Sequence, residues 1–276
     1  MGREDNSSPP KKCNARLKAC GGAILDQARG QIQHRDKRGQ KEAIHRLRVA
    51  MKQMRALLRL LKPHLSGKQY ARLNEDCRTL SNDLASNRDS DVVLETLELL
   101  AADSKGAPAY LHLYEALKLE GDDACLPGDK QTPGWRKIEQ VLDRVDWQFA
   151  QLPLKGVHKR DLHKGVERGF RKGRKLWRRA QKRSDSETLH DWRKVVKSTL
   201  YQKQLLRRSD SSGNLLRSLG RRLGELHDLD VLEQHLQQRR RWVWQEDLQW
   251  LAPRLHWRRE RLLGQAYQCA AQIYVN

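Results

Sequence analysis

Five side chains that can carry or donate positive charge recur at spacings of three and four: His45, Arg48, Lys52, Arg55 and Arg59. At ~100° per residue of helix they fall in one arc roughly 80° wide and about 21 Å long, opposite the apolar side of the same segment. Guanidinium and ammonium groups in a row make charge-assisted hydrogen bonds to oxyanions, and Arg adds a fork that matches phosphate geometry. His190, Arg193 and Lys197 repeat the pattern later in the chain, with Leu200 and Gln204 where the first copy has Arg55 and Arg59. A third row, Lys164, Arg168, Arg171, Lys172, Lys175, Arg178, Arg179 and Lys182, fits an arc of roughly 120° on one helix. Like charges four apart destabilise an isolated helix by ~0.2–0.5 kcal/mol per pair. Such rows with few interleaved acids predict an anion beside them.

Other chemistry fits these residues less well. Metal ligation at His45 or His190 would need further His, Cys or carboxylate on the same face, and that face offers cations. A phosphorylated histidine would need a nucleotide-binding motif, and no Walker A loop, G-x-G-x-x-G or H-E-x-x-H is present. The imidazoles read best as hydrogen-bond donors to an anion, with their own charge able to vary near neutral pH. Asp89 with Asp91, and Asp228 with Asp230, fall at predicted helix starts, which favours capping or pairing with a stripe Arg over a divalent metal. Trp242, Trp244, Trp250 and Trp257 cluster late, apart from the stripes, and read as packing or interface residues; this weakens a base-stacking role. Five scattered cysteines without C-x-x-C predict neither a disulfide framework nor a zinc site. The expectation is a binding protein: no catalytic residue, no cofactor, no metal.

The elements that must position these stripes are helices. Apolar residues recur with helical period over Gln40–Lys62 up to Pro63, and then over residues 66–87, 90–102, 135–151, 155–183 and 187–207. Glycines and prolines break residues 104–134 around one short helix near 110–119. A turn at Gly213 and a helix over 215–227 follow, then two C-terminal helices broken near Pro253. No Val/Ile/Thr-rich strand is present, so the fold is predicted all-α. The polar, Pro-containing residues 1–12 are expected to be a disordered tail without a signal sequence, and no apolar run approaches membrane-spanning length. A reduced, cytoplasmic protein follows.

Two landmarks recur in order. His45-Arg46-Leu47-Arg48 with Lys52 is matched by His190-Asp191-Trp192-Arg193 with Lys197. Leu80, Leu84 and Arg88-Asp89-Ser90-Asp91-Val92 are matched by Leu219, Leu223 and His227-Asp228-Leu229-Asp230-Val231. Duplication predicts two helical bundles related by a pseudo-two-fold axis, with halves at 13–150 and 151–276. The formal net charge of +21 is uneven: residues 1–150 hold 26 Lys and Arg against 21 Asp and Glu, residues 151–276 hold 29 against 13. A field of this strength recruits polyanions, with nucleic acid, anionic membrane and polyphosphate as candidates.

These motifs resemble the CHAD family, the conserved histidine α-helical domain. Its first element reads H-x-x-R-x-x-x-[RK]-x-x-R and is met by His45, Arg48, Lys52 and Arg55, and in copy two by His190, Arg193, Lys197 and Tyr201. Its second, L-G-x-x-R-D-x-D-V, is met loosely through Arg88–Val92, and by Leu223-Gly224 with Asp228, Asp230 and Val231. Leu200 stands where the family has a basic residue, and His227 where it has Arg. The resemblance covers roughly residues 13–270. It implies two four-helix bundles, a central basic channel or groove, and non-catalytic binding of inorganic polyphosphate. Some relatives associate with polyphosphate granules or are fused to triphosphate-cleaving domains; by that analogy this chain is a stand-alone binder. The ligand-binding set is then His45, Arg48, Lys52, Arg55, Arg59, Arg168, Arg171, Lys172, Lys175, Arg178, His190, Arg193 and Lys197. The alternatives are nucleic-acid binding through the same surface and a regulatory subunit of a polyphosphate-processing enzyme. No membrane partner is expected.

Overall fold

A computed structural model describes residues 10–84, 89–123, 134–206, 211–238 and 243–275, the side chains of 10–12, 37, 38, 89–91 and 119–123 excepted. Among the described residues the regular structure is entirely helical: α1 (Pro10–Gln33), α2 (Arg35–Arg38), α3 (Gln40–Leu61), α4 (Gly67–Asp83), α5 (Asp89–Leu100), α6 (Pro108–Asp123), α7 (Trp135–Ala150), α8 (Lys159–Lys182), α9 (Ser186–Leu205), α10 (Ser211–Gln238) and α11 (Gln245–Tyr274). The protein is all-α.

Local chemistry sets several boundaries. Pro63 falls in a 3-10 turn, Lys62–His64, that closes α3. Ser66 then opens α4 with a capping box: its Oγ accepts from the Gln69 N–H at 3.2 Å, and Gln69 Oε1 accepts from the Ser66 N–H at 3.0 Å. Pro10 stands at the first position of α1, where a missing N–H costs nothing. Residues 10–12 are therefore helical rather than part of a tail; the rest of the expected tail, residues 1–9, lies outside the described residues.

Two other boundaries differ from the sequence reading. α10 runs unbroken through Gly213 and past His227, because Leu226, Leu229, Leu232 and Leu236 continue its buried stripe. Asp228 and Asp230 accordingly lie inside a helix and cap nothing. α11 also continues through Pro253. An internal proline costs about 3 kcal/mol, but Leu251, Leu255, Leu262 and Leu263 are buried along this helix and outweigh it. Arg254 Nη1 also donates to the Trp250 carbonyl at 2.7 Å.

The chain forms two compact units that interleave rather than following 13–150 and 151–276. The first draws on Met1–Ala85, Thr132–Lys172 and Lys197–Gly213. Its core joins Leu25, Ile32, Leu47, Met54, Leu58, Leu73, Leu142 and Phe149. At its rim Arg29 of α1 donates to Asp146 of α7 at 2.8 Å, and Arg144 of α7 to Asp76 of α4 at 2.9 Å. The second unit draws on Ser86–Gln131, Gly173–Val196 and Asn214–Asn276. The interleaving arises because α5 and α6 pack on α11, with Tyr110 of α6 against Trp250 at 6.3 Å between ring centroids. Tyr267 of α11 donates to the Ala180 carbonyl of α8 at 2.9 Å. α8 and α9 each contribute one end to each unit.

Gly21 lets α1 approach α7 closely, since a Cβ there would lie 2.1 Å from the buried Phe149 ring. Gly21→Val is expected to lower unfolding free energy by about 1–3 kcal/mol through overpacking. A Cβ on neighbouring Gly22 meets nothing within 4 Å, so Gly22→Ala should stabilise by up to about 1 kcal/mol. Urea melts of both variants check the pair, and equal effects would contradict the packing.

Candidate anion-binding site

In the first unit α3 carries His45, Arg48, Lys52, Arg55 and Arg59, all half-buried, while Leu47, Met51, Met54 and Leu58 on its other side are buried. Neighbouring helices hold the two arginines at its end. Arg55 Nε donates to Asn74 Oδ1 of α4 at 3.1 Å, and Arg59 Nη1 to Ser198 Oγ of α9 at 3.0 Å. Burial, then the charge of Arg59, holds the Arg55 guanidinium below its usual range. An approaching oxyanion would relieve both effects. Ser198 adjoins the half-buried Lys197.

α8 joins this group through glycines. A Cβ on Gly165 would lie 2.6 Å from the Leu60 side chain of α3, and one on Gly169 would lie 2.5 Å from Thr199 Oγ1 of α9. Their absence lets α8 sit directly on α3 and α9, so Arg59, Lys197 and the first part of the α8 row belong to three packed helices. Arg168, Arg171 and Lys172 in this unit, like Lys175 and Arg178 in the second, are exposed. Lys164, Arg179 and Lys182 are exposed as well, and among the described residues no carboxylate forms an ion pair with any of the eight.

In the second unit Gly173 repeats the device: a Cβ there would lie 2.3 Å from the Tyr274 hydroxyl. The second copy of the histidine motif begins α9. His190 and Arg193 are half-buried, and Trp192 between them is 0% exposed, as is Leu47 at the matching place in copy one. Lys197, like Lys52, is half-buried. The copies differ further along, where Leu200 is buried and Gln204 exposed.

The residues that sequence reasoning left out lie on α10 and α11. The His227 ring stands 4.8 Å from that of His190 between centroids. Gly224 of α10 lies beside Arg193, a Cβ there falling at ordinary contact distance, 3.8 Å, from its Nε. Asp230 is buried and accepts from Ser186 Oγ and from Arg259 Nη1, each at 2.7 Å. Asp230 thus pairs with an arginine outside the stripes. The side chains of Asp89 and Asp91, its counterparts in copy one, lie outside those described. The signal for His227 was present in the repeat, which sets it opposite Arg88.

The late tryptophans divide. Trp250 packs beneath Arg254 at 4.3 Å, whereas Trp244 stacks on His112 at 3.7 Å and Trp257 lies under Arg261, both largely exposed. Trp242 lies outside the described residues. Among the described residues no three His, Cys, Asp or Glu side chains gather as a metal site, and no helix is long and apolar enough to cross a membrane.

A family model for the CHAD domain matches residues 23–237. No curated protein matches the chain significantly. Among solved structures, the CHAD domain from the plant Ricinus communis is similar with a TM-score of 0.67 at 16% identity, covering 100% of this chain and 94% of that one. PptA from Streptomyces chartreusis is similar at 0.63 and 15% identity, covering 93% of this chain and 99% of the other. Both likenesses concern the fold.

Proposed function

Since the chain belongs to the CHAD domain family, we propose that it binds inorganic polyphosphate, without turning it over, through the cationic faces of α3, α8 and α9. The observation that carries this reading is the recurrence, in both sequence copies, of half-buried His, Arg and Lys around a buried apolar anchor. Half-burial holds the cations in place and lowers the local dielectric, so an oxyanion gains more from them than from freely solvated lysines. The exposed α8 row adds long-range attraction that concentrates a polyanion near the site.

Polyphosphate carries roughly one charge per phosphate and offers no base or sugar to read. The cationic faces match that ligand because guanidinium, ammonium and imidazole donors outnumber the aromatic side chain that shares their arc, half-buried Tyr201 of α9. The protein works in the cytoplasm in this reading, alone or on polyphosphate granules, and needs no metal or cofactor.

Competition between long-chain polyphosphate and duplex DNA or RNA, at matched phosphate concentration and physiological ionic strength, tests the proposal. Polyphosphate should displace both nucleic acids, and incubation with Mg²⁺ and nucleotides should release no phosphate. Equal or stronger binding of RNA would give the same surface to nucleic acid instead. Phosphate release that tracks the protein through purification would make it an enzyme.

A further inference from the structure

We infer that His190 and His227 form a proton-linked anion subsite, so that polyphosphate binding takes up protons and tightens as pH falls. The inference rests on the polyphosphate reading and adds its regulation. It starts from the internal repeat, which sets His227 at the position held by Arg88 in copy one. Copy two thus carries a titratable cation where copy one carries a permanent one.

The fold brings this histidine against another. The two rings lie 4.8 Å apart, one from α9 and one from α10, and His190 Nδ1 is buried without a hydrogen-bond partner. Two imidazolium ions at that distance repel unless an anion lies beside them. The charged neighbours of His190 favour the neutral ring. From α9 it faces Arg193, Lys194 and Asp191; from α10, Asp230 in addition to His227. Asp230 is already engaged by Arg259 of α11 and by Ser186, which limits what it can give to a second cation. Burial first, then Lys194 and Arg193, depresses the basicity of His190.

A bound phosphate chain reverses this balance. Its negative charge stabilises the imidazolium form, so binding draws protons from solvent onto the pair, and affinity rises as pH falls through the histidine range. The unliganded protein responds with the opposite sign. Because the folded state holds His190 below its unfolded value of about 6.5, the unfolded chain binds more protons under that pH. Stability is then full above it and declines on acidification.

Two measurements on the full chain test the inference with long-chain polyphosphate, whose internal phosphates do not titrate in this range. Calorimetry near pH 6.5, in buffers of different ionisation enthalpy, should show net proton uptake on binding. Affinity of the wild type should rise about tenfold from pH 8 to pH 5.5 at constant ionic strength. His227→Arg should flatten that rise by binding more tightly at pH 8, while His190→Gln should flatten it with weaker binding at pH 5.5. His45 is present in every variant, so its contribution cancels. Binding without proton uptake, or the same pH slope in wild type and His227→Arg, overturns the subsite and leaves polyphosphate binding standing. No binding at either pH overturns the polyphosphate reading and this inference with it.

Discussion

Arg48→Gln with Lys52→Gln is expected to weaken polyphosphate binding by at least about a hundredfold, since two charge-assisted contacts contribute ~1.5–3 kcal/mol each. Both residues sit half-buried on α3, on the side away from Leu47, Met51 and Met54. The variant should therefore fold, and its melting temperature by circular dichroism should stay near or above that of the wild type as self-repulsion falls. Arg193→Gln with Lys197→Gln makes the same test on copy two. The slope of affinity against salt should also flatten, because fewer counterions are displaced. Lys68 and Lys155 are exposed and lie off the stripes, so Lys68→Gln with Lys155→Gln removes the same charge and should change affinity only slightly. Equal losses in stripe and control variants would mean diffuse attraction to a basic protein and would end the assignment of a site.

The stripes were legible because helical period ties spacing to direction: residues three and four apart must share a face. Leu47 was legible in the same way, as an apolar position opposite, whereas Trp192 stood in the sequence only as its counterpart in the repeat and its burial came from the fold. α1 went unread although Leu17, Ile24, Leu25, Ala28 and Ile32 recur with helical period and are buried. Gly21, Gly22 and Gly30 lower its intrinsic helicity, and only packing against α7 shows why Gly21 is needed. α10 and α11 ran longer than their punctuation suggested for a related reason. Gly213 and Pro253 speak against a helix locally, and buried leucines on the far side outweigh them. Asp230 illustrates the same limit for the site. Its place before Val231 looks like a cap, yet its partners are 29 and 44 residues away. The glycines of α8 are a similar case, since Gly165, Gly169 and Gly173 acquire meaning only when Leu60, Thr199 and Tyr274 lie against them. Partners brought together by tertiary packing leave no local signature.

Trp192→Ala should be among the most destabilising single changes in the second unit, costing about 3–5 kcal/mol. The indole is fully buried, with its ring stacked near that of Tyr267 at 6.2 Å, and it anchors the face of α9 opposite His190 and Arg193. Truncation leaves a cavity that Tyr267, already bonded through its hydroxyl to the Ala180 carbonyl, is poorly placed to fill. Trp192→Leu installs the residue that copy one carries at Leu47 and refills part of that volume, so its cost should fall well below that of the alanine variant. Denaturant melts measure the three-way comparison. If the buried anchor also fixes the direction of the cations beside it, Trp192→Ala should weaken polyphosphate binding even where the protein is still folded, and Trp192→Leu should restore part of it. A cost below about 1 kcal/mol, in the range of surface substitutions, would show that the indole does not anchor α9. The correspondence of the two copies would then rest on sequence spacing without a shared packing role.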